Sequence, residues 1–459
     1  MPKFFNHAYL ALMAFSFFLI ACTSGRVSDA NRICFPEGPK ANTGAKHFLH
    51  AYLAYAAAGQ GKDLPLHRWN EPEKWEAYAR GNIQGVINEY TINYYFGNHE
   101  IVWGPAVSLD KIGDISYTPE NMMYCLKQEV NGKTHYYVGI AGTNFISPYD
   151  WFSEDLNVQG PGVPWRPTGG RISEGSHQGL VNISQLTDRK SGKTLDAFLS
   201  DEIKGKDNIE ISVSGHSLGG ALTQVYSSFL KNEFKAETGT NVSAWVYAGP
   251  TAGDKDFATG LVAQLGDTNY HAFNNTLDMI PHAWEEETLN ELCTLYNGIQ
   301  FCGSPLEENM ILNGMVGYFK SISNGIDFTI PGKPNTFTGN VDLPSSCLGI
   351  DGAILSAIAD GDIRDRLKSI YKNCTGNELP SYDIIRYFFY HADVMGKEHT
   401  SAYFNNFFGD LECVPEAINL YIATPDQFFM DAWEAVDILE PFIKMVAEGN
   451  ISDCNCGKE

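Results

Sequence analysis

Residues 209–231 read IEISVSGHSLGGALTQVYSSFLK, and this stretch decides the fold. A short β-branched run (209–213) passes into an amphipathic helical pattern (221–231) through Gly215-His216-Ser217-Leu218-Gly219. A lone G-x-S-x-G is a weak signal. Between a strand and a helix it has the context that a nucleophile elbow requires. The turn is so sharp that side chains two residues before and after Ser217 would strike neighbouring backbone, which accounts for the glycines. The helix N-terminus behind the serine presents orphan N–H groups, that of Leu218 among them, toward a developing oxyanion. The alternative is a Gly-rich βα turn without chemistry.

The flanking sequence extends the pattern. Runs 122–129 and 135–140 are β-prone and joined through Asn131-Gly132, a hairpin signal. Residues 195–203 read as helix, and 242–247 and 269–273 as short strands with a helix at 256–265 between them. This alternation over 136–274 predicts an α/β fold: a mostly parallel central sheet with helices on both faces. A helix rich in Ala and aromatics is expected at 46–58. Residues of about 285–380 differ in texture, with Gly, Asn, Pro and four cysteines, and read as an insertion or cap. C-terminal helices are expected at 382–390 and 427–446. One domain therefore covers 45–459.

A serine nucleophile needs a base and an orienting acid, which in α/β-hydrolases follow it in the order Ser, Asp/Glu, His. Asp278 lies in the loop after the 269–273 strand and is the expected acid; Asp254, after the preceding strand, is the alternative. Of the later histidines, His282 is cramped by its closeness to Asp278. His399 sits in a polar loop entering the aromatic stretch 403–408, where an imidazole can be held in one tautomer and still shuttle a proton. His399 is the expected base and His391 the alternative.

Six blocks in order resemble the class 3 lipase family. Tyr137-Val138-Gly139-Ile140-Ala141-Gly142-Thr143 with Asp150-Trp151-Phe152-Ser153-Glu154-Asp155-Leu156 is similar to its strand–GT–DWxxDL block. Gly175-Ser176-His177-Gln178-Gly179 resembles VHxGF, and residues 214–221 match the nucleophile block. Residues 247–254 resemble FGxPRxGD, 274–281 the NxxDxVP acid block, and His399 with Tyr403-Phe404 the final histidine block. The resemblance implies an α/β-hydrolase fold and hydrolysis of lipid carboxylic esters by Ser217, Asp278 and His399. It also implies an oxyanion hole from the N–H groups of Thr143 and Leu218, a lid within 144–157, and no metal or organic cofactor. The family's Arg before Gly-Thr is Ala141 here, and the spacing from His399 to Tyr403-Phe404 is one residue longer than in fungal members. Rival readings are a phospholipase or acyltransferase with the same triad, and a non-catalytic surface-anchored binding protein.

Composition sets the surroundings. Of 459 residues, 44% are hydrophobic and 19% charged, which excludes disordered and collagen-like chains. The net charge of −23 repels phosphate backbones and argues against nucleic-acid binding. Residues 8–21 form an uncharged run after Lys3, too short to span a bilayer and suited to a signal-peptide core. The run ends Leu19-Ile20-Ala21-Cys22, which resembles a bacterial lipobox, so 1–21 is expected to be cleaved and Cys22 lipidated, with 22–44 a linker. A plain secretory peptide is the alternative. The expected place is the cell envelope, lipid-anchored (at the outer membrane if there is one), or outside the cell. The expected partners are a lipid ester at an interface and the membrane through that anchor. Ten cysteines agree with an oxidising compartment, and without Cys22 the count is odd, which leaves at least one unpaired within the chain. Cys293–Cys302 and Cys347–Cys374 are the first pairs to expect.

Overall fold

Seven strands lie side by side in one sheet, in the same order as in the chain. They are β1 (Glu100–Ile112), β2 (Ser116–Val130), β3 (Lys133–Ile140), β4 (Ile209–His216), β5 (Thr240–Tyr247), β6 (Tyr270–Asn275) and β7 (Asn335–Phe337). The computed structural model describes residues 43–57, 69–112, 116–142, 157–297, 300–301, 304–305, 310–339, 365, 368–369, 372 and 394–409. β1–β2 and β2–β3 are antiparallel; the four pairings from β3 to β7 are parallel. At the β2–β3 hairpin, Val130 pairs with Lys133 across Asn131 (φ 52°) and Gly132 (φ 78°). Two consecutive positive φ values give the primed turn whose twist matches that of its strands, which is what Asn-Gly selects.

The layers follow from handedness. α4 (Glu174–Gln185) and α5 (Leu195–Ile203) connect β3 to β4, α6 (Leu218–Glu233) connects β4 to β5, and α7 (Lys255–Leu265) connects β5 to β6. Each connection steps to the next strand in the same direction, so right-handed crossovers place all four helices on one face. There Leu180, Leu199, Leu222, Val225 and Leu261 close over Ile209, Ile211 and Val213 of β4. The opposite face is covered by the chain's outer segments: α1 (Thr43–Leu53), its 3-10 continuation Ala54–Ala57, α2 (Pro72–Ile87), α3 (Tyr90–Phe96) and α8 (Ser401–Phe408). Strand alternation feeds both layers, with Tyr124 and Leu126 of β2 on the α1 side and Met123 and Cys125 on the other.

Phe48 of α1 is the centre of the second layer. Its ring lies 5.0 Å from those of Phe404 and Phe407 and 5.2 Å from those of Tyr52 and Tyr247. This aromatic packing docks α8, and with it the turn just before α8, against the carboxyl ends of β4 and β5.

The α/β-hydrolase expectation holds, with a mixed sheet of which the central and β7-side part is parallel. The structure departs from the sequence reading in several elements, α3 and α4 among them, neither of which was expected as a helix. β1 was not foreseen, because Gly104-Pro105 breaks its alternation and its register with β2 shifts beside them. α2, which opens on Pro72, was not foreseen either. The segment read as an insertion returns at Asn335–Phe337 to add β7 beside β6. Cys22, the segment 1–21, the helices expected at 382–390 and 427–446, and most of the expected lid lie outside the described residues, and each expected disulfide pair includes a cysteine outside them. Cys125 is a free, buried thiol whose pKa burial raises. No helix among the described residues is long and apolar enough to cross a membrane.

Candidate active site

Ser217 closes β4 and caps α6 with φ 60° and ψ −130°, a backbone conformation that a non-glycine residue adopts only where its surroundings force it. Its N–H is held by the carbonyl of Tyr247 at 2.9 Å, and its own carbonyl accepts from Gly220 at 2.7 Å. The flanking glycines are needed for close approach: a Cβ at Gly215 would collide with the Gly219 carbonyl, and one at Gly219 with that of Ile140. The serine sits at the carboxyl end of a central parallel strand, with the N-terminal N–H groups of α6 behind it, Leu218 first. Gly142 packs onto the same turn, where an added Cβ would meet the His216 carbonyl at 2.6 Å. Thr143, which follows it, lies outside the described residues.

Asp278 is fully buried in the loop after β6. Its Oδ1 accepts from the Ile280 N–H at 3.0 Å, and its Oδ2 from His399 Nδ1 at 2.8 Å and the Tyr403 hydroxyl at 3.0 Å. Three donors converging on one carboxyl meet the condition under which a buried charge is tolerated. Since a carboxylate only accepts, His399 Nδ1 carries the proton of that bond, which fixes the ring and turns Nε2 to the other edge. His399 is 2% exposed and is the last residue of a helical stretch, 394–399, where the sequence reading expected a polar loop. Its ring centroid lies 4.6 Å from that of His216, the residue before Ser217.

His216 ties these parts together. Its Nε2 donates to the backbone carbonyl of His399 at 2.7 Å. In the neutral ring Nδ1 is then an acceptor, and the Tyr55 hydroxyl, 3.1 Å from both Nδ1 and the His216 carbonyl, shares its one proton between them. Burial, and then the nearby His399, push the His216 pKa well below the usual histidine value, so the ring stays neutral. Tyr403 serves twice, accepting from the Asn275 N–H at 3.0 Å while donating to Asp278.

The alternatives are placed elsewhere. Asp254 caps α7, accepting from the Phe257 N–H at 2.9 Å. His282 Nδ1 lies 3.4 Å from a Glu291 carboxylate oxygen. His391 lies outside the described residues. The structure thus brings Asp278 and His399 together and sets His399 against the residue before Ser217. The sequence reading missed the parts played by His216, Tyr55 and Asn275. Only Tyr403 carried a signal, as part of the final block. Among the described residues, no group of three or more His, Cys, Asp or Glu is arranged to hold a metal ion.

Residues 137–287 match the family model described as Lipase (class 3). Among solved structures, the chain is similar to M37 lipase, at 24% identity and a TM-score of 0.52, over 66% of this chain and 87% of that one. It is also similar to the Rhizomucor miehei lipase propeptide complex, with 16% identity, 53% and 62% coverage and a TM-score of 0.33. Lip2 lipase from Yarrowia lipolytica matches at 16% identity, 52% and 74% coverage and a TM-score of 0.31.

Proposed function

We propose that this chain, whose residues 137–287 match the class 3 lipase model, is a carboxylic ester hydrolase that cleaves lipid esters through Ser217, His399 and Asp278. The observation that carries the reading is the 2.8 Å bond from His399 Nδ1 to Asp278 Oδ2, made beside the elbow that presents Ser217. In the first step the Ser217 Oγ bonds to the ester carbonyl carbon while His399 Nε2 takes its proton. Asp278 holds the imidazole and stabilises the cation. The negative charge moves to the former carbonyl oxygen, where the Leu218 and Thr143 N–H groups stabilise it; losing such a donor costs about 2.7–4 kcal/mol of barrier. His399 then returns the proton to the departing alcohol, leaving an acyl-Ser217 ester. Water attacks that ester by the same route in reverse, releasing the fatty acid.

The anchored location belongs to the same proposal. Cleavage after Ala21 and acylation of Cys22 would hold the enzyme at a bilayer, since more than one acyl chain is needed for stable attachment. Disulfides formed outside the cytoplasm fit that location. The test of the chemistry is Ser217→Ala, which should keep the folded structure and lose hydrolysis of p-nitrophenyl acyl esters; retained hydrolysis would remove Ser217 from its role.

A further inference from the structure

One side chain joins the acid loop to the helical stretch 394–399 that ends at His399, and acyl transfer does not use it. Asn275, fully buried at the end of β6, gives one amide hydrogen to the Glu398 backbone carbonyl at 2.8 Å and the other to Glu398 Oε2 at 2.7 Å. Its Oδ1 accepts from the N–H groups of Leu277 at 3.1 Å and Gly339 at 2.7 Å. The amide is therefore saturated, and the clip it forms binds the acid loop, the segment after β7 and the residue before His399.

The other half of the clip is an acid. Glu398 is 2% exposed, and the backbone at Gly339 packs so closely on its Oε2 that a Cβ there would collide with it. The titratable groups that face it from neighbouring elements are Asp278, Tyr296 and Tyr403, none of them a cation. Within the helical stretch 394–399, which ends at His399, its chain neighbours are Lys397 and His399. Burial first, and the charge of Asp278, push the Glu398 carboxyl up to about 7, against the opposing pull of the Asn275 hydrogen bond. An acid in this setting changes charge across the neutral range, next to the pair that must stabilise a cation.

We propose that Glu398 is a positioning residue for His399: it holds the helix end that carries His399 to the acid loop through Asn275 and, once ionised, adds a second negative charge behind the Asp278–His399 pair that stabilises the imidazolium formed during acyl transfer. The proposal rests on the triad reading. The proton that Glu398 loses goes to solvent and never reaches the substrate; His399 alone moves the serine proton. Asn275 keeps the helix end in place in either state, because a protonated carboxyl and a carboxylate both offer an acceptor to its amide.

The test compares kcat and kcat/KM of the wild type and Glu398→Gln for a p-nitrophenyl ester from acid to alkaline pH. Gln keeps the size and an acceptor for Asn275 but cannot ionise. The wild-type to variant ratio is expected near one at acid pH, rising through neutrality to about fivefold to tenfold at alkaline pH, as expected for one partly screened charge. A ratio that stays constant with pH would reduce Glu398 to a structural part and overturn the proposal. A second measurement does not depend on Glu398→Gln folding. In wild type labelled with 13C at the glutamate carboxyl, one buried resonance should titrate near neutrality and be missing from Glu398→Asp. If no glutamate carboxyl titrates there, the proposal fails. Ser217→Ala separates the two levels: if it is inactive while the ratio is constant, only this inference falls, and if it is active, the triad reading falls first.

Discussion

The Nε2 of His216 donates to the backbone carbonyl of His399 across 2.7 Å, so the residue before the nucleophile holds the end of the helical stretch that carries the base. This bond spans 183 positions of sequence and joins two segments that must stay in register for proton transfer. His216→Ala should lower kcat by about tenfold or more with little change in KM, since a lost buried hydrogen bond costs about 1–3 kcal/mol. Tyr55→Phe, which removes only the outer donor, should cost less. Equal kcat in His216→Ala and wild type would show that the helix end carrying His399 is held by other contacts.

The Tyr403 hydroxyl bridges Asp278 Oδ2 and the Asn275 N–H. Phe at this position preserves the packing against Phe48 and Phe337 and removes only the hydroxyl. A hydrogen bond to a charged group contributes about 1.5–3 kcal/mol, so Tyr403→Phe should lose roughly tenfold to a hundredfold in kcat/KM and melt lower. Steady-state kinetics and thermal melts decide this. Unchanged values in both would mean that the Asp278 carboxyl needs no third donor.

What the sequence disclosed tracks how local each signal is. The elbow was legible because its glycines, strand and helix fall within a short window, and Ser217 with its positive φ is where those glycines point. The Asn131-Gly132 hairpin was legible for the same reason. Asp278 was reached by chain order and family spacing, and His399 by these and by the aromatic run that follows it. β1 was hidden by Pro105, and β7 by being three residues long in a Gly- and Pro-rich segment. His216 and Asn275 act through long-range bonds to backbone atoms, which leave no trace in residue pattern.

A basic cluster behind the sheet predicts acid sensitivity. His47, His50 and His99 are pushed below the usual histidine value, chiefly by burial and also by the charge of Lys46, with His99 at about 3. A histidine whose folded pKa is depressed binds more protons when unfolded, so its contribution is full above about 6.5 and is lost as pH falls toward the folded value. His99 alone should cost about 2 kcal/mol between neutrality and pH 5. Glu398 runs the other way, favouring the fold at acid pH and losing that contribution as pH rises to about 7, which offsets one histidine. Urea unfolding should therefore show lower stability at pH 5 than at pH 7.5, and His99→Phe should narrow the gap. Equal stability at both values would contradict the cluster's neutrality.

Gly219 is the second residue of α6, and a Cβ there would collide with the carbonyl of Ile140, leaving no room for a methyl group. Gly219→Ala should shift the elbow or β3, costing about 1–3 kcal/mol of stability as overpacking does, and abolish activity. Gly192→Ala, at a site with φ 67° and open space around it, is the control for backbone strain alone and should leave activity intact. Activity retained in Gly219→Ala would mean that the turn tolerates a wider approach.

The central claim is that Ser217 is made nucleophilic by His399 and Asp278. It is tested most directly by treating the mature protein with a fluorophosphonate, which phosphonylates only an activated hydroxyl, and mapping the adduct by peptide mass spectrometry. The account predicts a single adduct on the peptide containing Ser217, lost in Ser217→Ala and strongly slowed in His399→Ala. An unlabelled protein, or an adduct on another residue with Ser217 untouched, would contradict it.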